Sequence, residues 1–306
     1  MSIKKSPVFY PLILLCLLGC TWGTSFSIAK YAMQSGITPL GYSFWQSVGP
    51  AILISCVVLL KEKKIPLSIN HLLFYIVCGL IGICLPNLSM YFSAPHLDSG
   101  LLGLVVNTSP IMTYGFSILF IIEKFRPVRF SGICIGFLGL LLLFLPKLNY
   151  PAQWHWLLFA LSTPFLLSLC TIFMVKARPK NSSSLSLSAG MLIAAAVMII
   201  PVTLNAHQFH PLTTFNLPNL FIVIEILLSS LGYILFFELL KTAGPVYYSL
   251  VGCVVALVGL LWGAIIFKET PTSLEWIAVT LILGAIFLVS FVPATKLQTS
   301  SSPSTL

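Results

Sequence analysis

The sequence predicts an all-α integral membrane protein of ten transmembrane helices, built as two halves of five. Three observations predict it: an apolar composition, ten long apolar runs, and a second half that repeats the spacing of the first. The chain has 306 residues, 58% hydrophobic and 8% charged, with a mean hydropathy of +1.03. Soluble domains carry roughly 25% charged residues. Seven acidic and 16 basic side chains cannot cover a water-facing surface of this size, so the apolar excess faces lipid. At about 20 residues per span, the length holds ten spans and leaves little for a separate domain.

The apolar runs, bounded by Pro, Gly, Asn or charge, cover 8–31, 38–60, 71–94, 99–122, 130–146, 153–175, 185–204, 219–240, 245–267 and 273–292. They are continuous and not alternating, which argues against a β-barrel. The first run carries a decoy: Lys4 and Lys5, an apolar core and Leu17-Leu18-Gly19-Cys20 mimic a lipoprotein signal. The run continues through Trp22-Gly23-Thr24-Ser25 with no polar mature region, so it reads as an uncleaved helix.

Charge fixes the expected orientation. With a cytoplasmic N-terminus, the inner segments hold Lys4, Lys5, Lys61, Lys63, Lys64, Lys124, Arg126, Arg129, Lys176, Arg178, Lys180, Lys241 and Lys296. The outer loops keep Lys147 and Lys268, with Lys30 near an outer helix end. Basic residues favour the cytoplasmic side, so both termini are expected inside. The net charge of +9 therefore marks topology, and no nucleic-acid partner is expected. The eight cysteines lie nearly all in apolar runs, where a thiol behaves as a small hydrophobe.

A shift of 146 residues lays the second half on the first, with Lys30 on Lys176, Glu123 on Glu269 and Phe116 on Trp262. Five spans per half is an odd number, so the halves cross the membrane in opposite senses. Exchanging the conformations of two inverted halves turns an inward-open cavity into an outward-open one.

Trp22-Gly23 early in the first span, Lys30 seven residues later, Tyr91 closing the third span, Pro110 in the fourth and Glu123 after it, with Glu269 in the second half, form an ordered set. In that order and spacing the chain resembles the EamA-type permeases of the drug/metabolite transporter superfamily, over residues 8–293. The resemblance implies a 5+5 inverted-repeat bundle around a central cavity. It also implies a permease for amino acids, nucleotide-related metabolites or other small organic solutes. The first repeat would be 1–146, the second 147–293, and 294–306 a disordered cytoplasmic tail. In the second half Ala256 replaces the proline, and Ser168-Leu169 stands where Trp-Gly would be.

A polar side chain in hydrocarbon needs a partner or a wet cavity. The candidates for the substrate cavity are Trp22, Asn87, Tyr91, Asn107, Tyr114, Glu225, Tyr233 and Trp262. Asn87 and Tyr91 share a helix face at i and i+4, and Asn107, Pro110 and Tyr114 another at i, i+3 and i+7. Interhelical bonding explains such groups equally well. Trp22 and Trp262 lie too deep for the interfacial belt, whereas Tyr247 and Tyr248 sit near a span end, where belt aromatics are found. Glu225, Ser229 and Tyr233 form a stripe at i, i+4 and i+8, and Glu225 is the one carboxylate well inside a span. It either pairs with a cationic group of the substrate or takes up a proton.

The pairs Gly19/Gly23, Gly132/Gly136 and Gly259/Gly263 fit close helix contact, and Gly132/Gly136 is also a candidate homodimer face. Glu238, three before Lys241, reads as an intrahelical ion pair. His207 and His210 lack a third ligand for a metal. No nucleotide-binding motif, paired aspartates, Ser/His set or HExxH occurs in the spans, so no cofactor and no enzyme activity is expected. The expected partners are a small-molecule substrate, membrane lipid and a coupling solute such as the proton, with the bacterial cytoplasmic (inner) membrane as location. The rival reading is a non-transporting polytopic protein, such as an intramembrane enzyme or receptor.

Overall fold

The computed structural model describes residues 9–62, 64–93, 96, 105–144, 154–180, 182–214, 216–267 and 272–291. Every regular element among them is helical. In order they are α1 (Phe9–Gln34), α2 (Pro39–Glu62), α3 (Ile69–Gly79), α4 (Leu85–Ser93), α5 (Ser109–Leu119), α6 (Pro127–Phe144), α7 (Trp154–Ala177), α8 (Ser184–Asn205), α9 (Leu217–Ser249), α10 (Val251–Phe267) and α11 (Ser273–Phe291). A π turn at Leu80–Cys84 fuses α3 and α4 into one rod just ahead of Pro86. Among the described residues six helices are long and apolar enough to cross a membrane: α2, the α3–α4 rod, α7, α8, α9 and α11; α1, α6 and α10 carry shorter apolar stretches. The chain is thus a multi-pass membrane protein.

The helix ends follow the apolar runs because local chemistry stops them there. Ser183 Oγ accepts from the Ser186 N–H at 2.9 Å to start α8, and Asn216 Oδ1 accepts from the Asn219 N–H at 2.9 Å to start α9. Thr272 and Glu275 form a capping box ahead of α11, with the Thr272 N–H donating to Glu275 Oε2 at 2.7 Å and the Glu275 N–H to Thr272 Oγ1 at 3.3 Å. Within α9 the backbone breaks at Gly244, with φ 82° and ψ 177°, a conformation essentially reserved for glycine. Pro245 follows and has no N–H to donate. The break falls where the sequence separates its eighth and ninth runs.

The fourth run departs from expectation. Residues 97–104 lie outside the described residues, Asn107 and Thr108 form a turn, and α5 begins only at Ser109. Proline is favoured in the first helical turn, where its missing N–H costs nothing, so Pro110 opens this helix and does not kink one.

Helix packing follows the 146-residue shift. α6 packs on α11 and α2 on α8, each against its own counterpart. α1 packs on α9 and α10, as its counterpart α7 packs on α4 and α5; α3 meets α8 as α9 meets α2. Small residues bring the axes together. A Cβ at Gly19 or Gly23 would run into Val254 or Val258 of α10, and one at Gly132, Gly136 or Gly139 into Val289, Ala285 or Ile282 of α11. The Gly132/Gly136 face is therefore filled by α11 of the same chain, which corrects its reading as a dimer face. Leu15, Leu18, Ile54, Leu187, Leu192 and Phe237 are fully enclosed, while Leu60, Val197, Leu231 and Phe287 point outward, as lipid-facing side chains do.

Candidate functional site

The Glu225 stripe is real and faces inward. Glu225 is 1% exposed. Its Oε1 accepts from Ser229 Oγ at 2.6 Å and from Gln46 Nε2 of α2 at 3.3 Å. Its Oε2 has no hydrogen-bond partner. The hydroxyls of Ser25 on α1 and Tyr42 on α2 stand beside the carboxyl. Tyr42 Oη donates to the Ser25 carbonyl at 3.2 Å, and Ser25 Oγ donates to the Thr21 carbonyl at 3.1 Å. Three helices thus close around one acid.

Two turns along α9 the stripe reaches an aromatic cluster. The ring of Trp22 on α1 lies 6.3 Å from Tyr233, 5.9 Å from Phe236 and 6.2 Å from Tyr248, the Tyr233 and Tyr248 contacts edge-on. Phe236 and Tyr248 are themselves 4.6 Å apart. The Trp22 indole fits because residue 232 is glycine: a Cβ there would meet its Nε1 at 2.5 Å. Phe236 was not among the sequence candidates, and Tyr248 was weighed there against a role in the interfacial belt. Tyr248 sits just past the Gly244 break and reaches Trp22, while its neighbour Tyr247 turns to α11, with its hydroxyl 3.0 Å from Ser290 Oγ. Alternation of two adjacent tyrosines across a helix was the available signal.

The remaining candidates are dispersed. Asn107 leans on Gly252 of α10, one turn beyond Tyr248, where a Cβ would collide with its side-chain oxygen. Trp262 donates its Nε1–H to Thr24 Oγ1 at 3.0 Å, tying α10 to α1. Asn87 is half-buried on α4, and the Tyr91 side chain lies outside the described residues. Tyr114 points to the α5–α6 turn: its hydroxyl accepts from the Arg126 N–H at 2.8 Å and donates to the Arg126 carbonyl at 3.2 Å. Since Asn107 is not helical, Asn107 and Tyr114 do not share a face. Their expected stripe is corrected to a turn residue near the aromatic cluster and a buried anchor of the next turn.

Ser168, at the position equivalent to Trp22, binds hydroxyls. Thr113 Oγ1 donates to Ser168 Oγ at 2.9 Å, and Ser168 Oγ lies 3.2 Å from Ser109 Oγ and from the Ser109 carbonyl. The Thr163 and Ser89 hydroxyls lie 2.6 Å apart, and both lie within hydrogen-bond distance of the Pro86 carbonyl, at 3.2 and 3.0 Å.

Charged groups cluster elsewhere. Arg129 Nη1 donates to Glu123 Oε2 at 2.8 Å, and both residues are buried. Burial raises the Glu123 carboxyl above its usual range, and the Arg129 and Arg126 guanidinium groups oppose that shift. Glu238 does meet Lys241, at 3.7 Å, and also accepts from Ser184 Oγ at 2.8 Å. His210 Nε2 lies 2.8 Å from Asn219 Oδ1.

The comparison with known families bears on both readings. One model, the EamA-like transporter family, matches residues 10–145 and again 154–291. The chain belongs to the EamA-like transporter family. It is thereby a member of the drug/metabolite transporter superfamily, and the two matches fall on the two halves that the sequence shift superposes. The chain is 24% identical to Protein PecM of Dickeya dadantii over 88% of its own length and 89% of that protein. It is 26% identical to the inner membrane transporter YedA of Escherichia coli K12, over 93% and 90%. To the transporter YvbV of Bacillus subtilis it is 22% identical, over 94% of each chain. A crystal structure shares the fold with a TM-score of 0.70 at 16% identity, covering 90% of this chain and 98% of the other.

Proposed function

We propose that this EamA-family chain is a secondary transporter that carries a small organic metabolite, amino-acid-like or nucleotide-related, across the bacterial inner membrane by alternating access. The observation that carries the reading is the reciprocity of packing: α1 lies on α9 and α10 as α7 lies on α4 and α5, and α2 and α6 each meet their own counterparts. A pair of inverted halves related in this way has two equivalent arrangements, and switching between them moves a closed cavity from one side to the other. In this reading ten spans form a 5+5 bundle, with repeats 1–146 and 147–293, a tail at 294–306 and both termini cytoplasmic. The relatives' names as transporters favour it over an enzyme.

The path runs between α1, α9 and the start of α10. Trp22 and Tyr233 form its aromatic wall, with Asn107 beside Gly252 as a polar contact. Glu225, Asn87 and Trp262 belong to the surrounding polar and aromatic shell. Planar or partly apolar solutes suit such a wall, because an aromatic face stacks and an amide orients.

Metabolite profiling on both sides of the membrane, in cells with and without the protein, tests the reading. The expected result is one or a few small solutes redistributed by expression and returned to the control level by Trp22→Ala. Unchanged profiles, with the protein verified in the membrane, would reject it. For the topology, a reporter active only in the periplasm and fused at residue 296 should stay silent; strong activity there rules out ten spans with both ends inside.

A further inference from the structure

The Glu225 cluster carries a step beyond that reading, and rests on it: we propose that Glu225 is the proton-carrying group of the transport cycle, at a site distinct from the aromatic wall. The argument is an inventory of hydrogens. A carboxylate only accepts, whereas a neutral acid donates from one oxygen. The two donors of the cluster, Ser229 Oγ and Gln46 Nε2, both go to Oε1. Oε2 receives none. Of the two hydroxyls beside the carboxyl, that of Tyr42 donates to the Ser25 carbonyl and that of Ser25 to the Thr21 carbonyl. A neutral acid puts no charge on this unpartnered oxygen, whereas a carboxylate does. An unbonded carboxylate oxygen at this depth costs far more than a bonded neutral acid.

The same residues supply a second closed arrangement. If Glu225 ionises, the Tyr42 hydroxyl swings from the Ser25 carbonyl to Oε2. On uptake, a proton from water forms the Oε2–H bond; on release that bond breaks and the proton returns to water, with no electron transfer. The Tyr42–Ser25 bond joins α2 to α1, and a Tyr42–Glu225 bond would add a second tie between α2 and α9 beside that of Gln46. Protonation thus decides whether α2 keeps its Tyr42 bond to α1, and this links the proton to a change of packing. An organic cation is the poorer occupant, because α1, α2 and α9 leave the carboxyl 1% exposed.

The groups facing Glu225 are few. Tyr42 is the titratable one on α2, with Gln46 beside it; α1 presents Ser25, and α9 presents Ser229. Among the described side chains no charged group adjoins the carboxyl. His210 is held at Asn219, six residues earlier on α9.

The test is infrared difference spectroscopy of the full chain in phosphatidylethanolamine/phosphatidylglycerol vesicles, with pH stepped between about 5 and 9 and the proton as sole probe. A protonated-carboxyl band that fades as pH rises, is missing in Glu225→Gln and is displaced in Tyr42→Phe is the expected result. Identical pH-dependent bands in parent and Glu225→Gln overturn the proposal, because Glu225 then keeps one state. Should Glu225→Gln not fold, Tyr42→Phe decides alone: an undisplaced band overturns it. If Glu225 titrates but profiling finds no moved solute, the transporter reading fails and the titrating site stands. If a solute is carried at a rate indifferent to an imposed pH gradient, the proton proposal fails and the transporter reading survives.

Discussion

The two interfaces made by α1 and by its counterpart α7 share a packing plan and differ in chemistry. Around α1 the contact with α9 and α10 holds Trp22, Ser25, Glu225 and Tyr233. The shifted positions around α7 hold Ser168, Thr171, Gly79 and Asn87. There Ser168 bonds Thr113 and Ser109 of α5, and Thr171 donates to the Ser168 carbonyl of its own helix. On α2, Tyr42 and Gln46 become Ser188 and Leu192 on α8, and Ser188 caps the Tyr233 carbonyl at 3.0 Å. The repeat preserves how helices meet, because small residues and spacing control approach, while each half has its own interior polar groups. A protein of two equivalent halves thus concentrates its aromatic and acidic chemistry in one of two equivalent places.

Several experiments would break or sharpen that comparison. The largest effect belongs to the buried pair of the first half: Glu123→Gln leaves Arg129 enclosed without its anion and should lower stability by about 3–5 kcal/mol. Glu275, at the position equivalent to Arg129, caps α11, so Glu275→Gln should cost about 1 kcal/mol. Thermal unfolding in detergent compares them, and equal losses would show that the halves are anchored alike.

Next come the glycine contacts. At Gly139 a Cβ meets Ile282 at 2.9 Å and the Ala278 carbonyl at 3.0 Å, so Gly139→Leu should cost about 1–3 kcal/mol by overpacking. Gly259 has nothing within 4 Å, and Gly259→Ala should stay within about 0.5 kcal/mol of the parent. A severe Gly259→Ala would mean that this face of α10 is covered in the membrane.

Smaller still is the contrast at the equivalent positions 22 and 168. Trp22→Ala should slow transport by about tenfold, equal to roughly 1.4 kcal/mol, by removing the ring that three aromatics share. Ser168→Ala removes hydroxyl contacts worth about 1 kcal/mol and should leave the rate within about threefold. A vesicle assay with the profiled solute measures both; the reverse order would move the path to α7.

Much of this was legible in sequence, and the limits have physical causes. Helix ends could be read because apolar runs end at Pro, Gly, Asn or charge, as at Asn216 and Gly244. The Glu225–Ser229–Tyr233 stripe could be read because helical spacing places i, i+4 and i+8 on one face. Its partners could not: Tyr42 and Gln46 come from α2, and contact between helices distant in sequence leaves no periodic trace. Tyr248 was hidden by its position near a span end, where an interfacial role explains tyrosine equally well. Asn107 and Tyr114 misled because Pro110 is compatible with a kink inside a helix or with a helix start, and the local sequence does not separate the two. The Glu123–Arg129 pair was missed for a related reason: six residues apart across a turn, the two match no helical spacing.

The break at Gly244 has a mechanical consequence. Tyr248 stands four residues beyond it, an arm of about 6 Å at 1.5 Å per residue, while Tyr233 and Phe236 lie on the other side of the joint. Rotation of about 20° at this single pivot would sweep the Tyr248 backbone through roughly 2 Å without disturbing a helical hydrogen bond on either arm. The lever is short, and its pivot is a residue whose backbone conformation, φ 82° and ψ 177°, is essentially reserved for glycine.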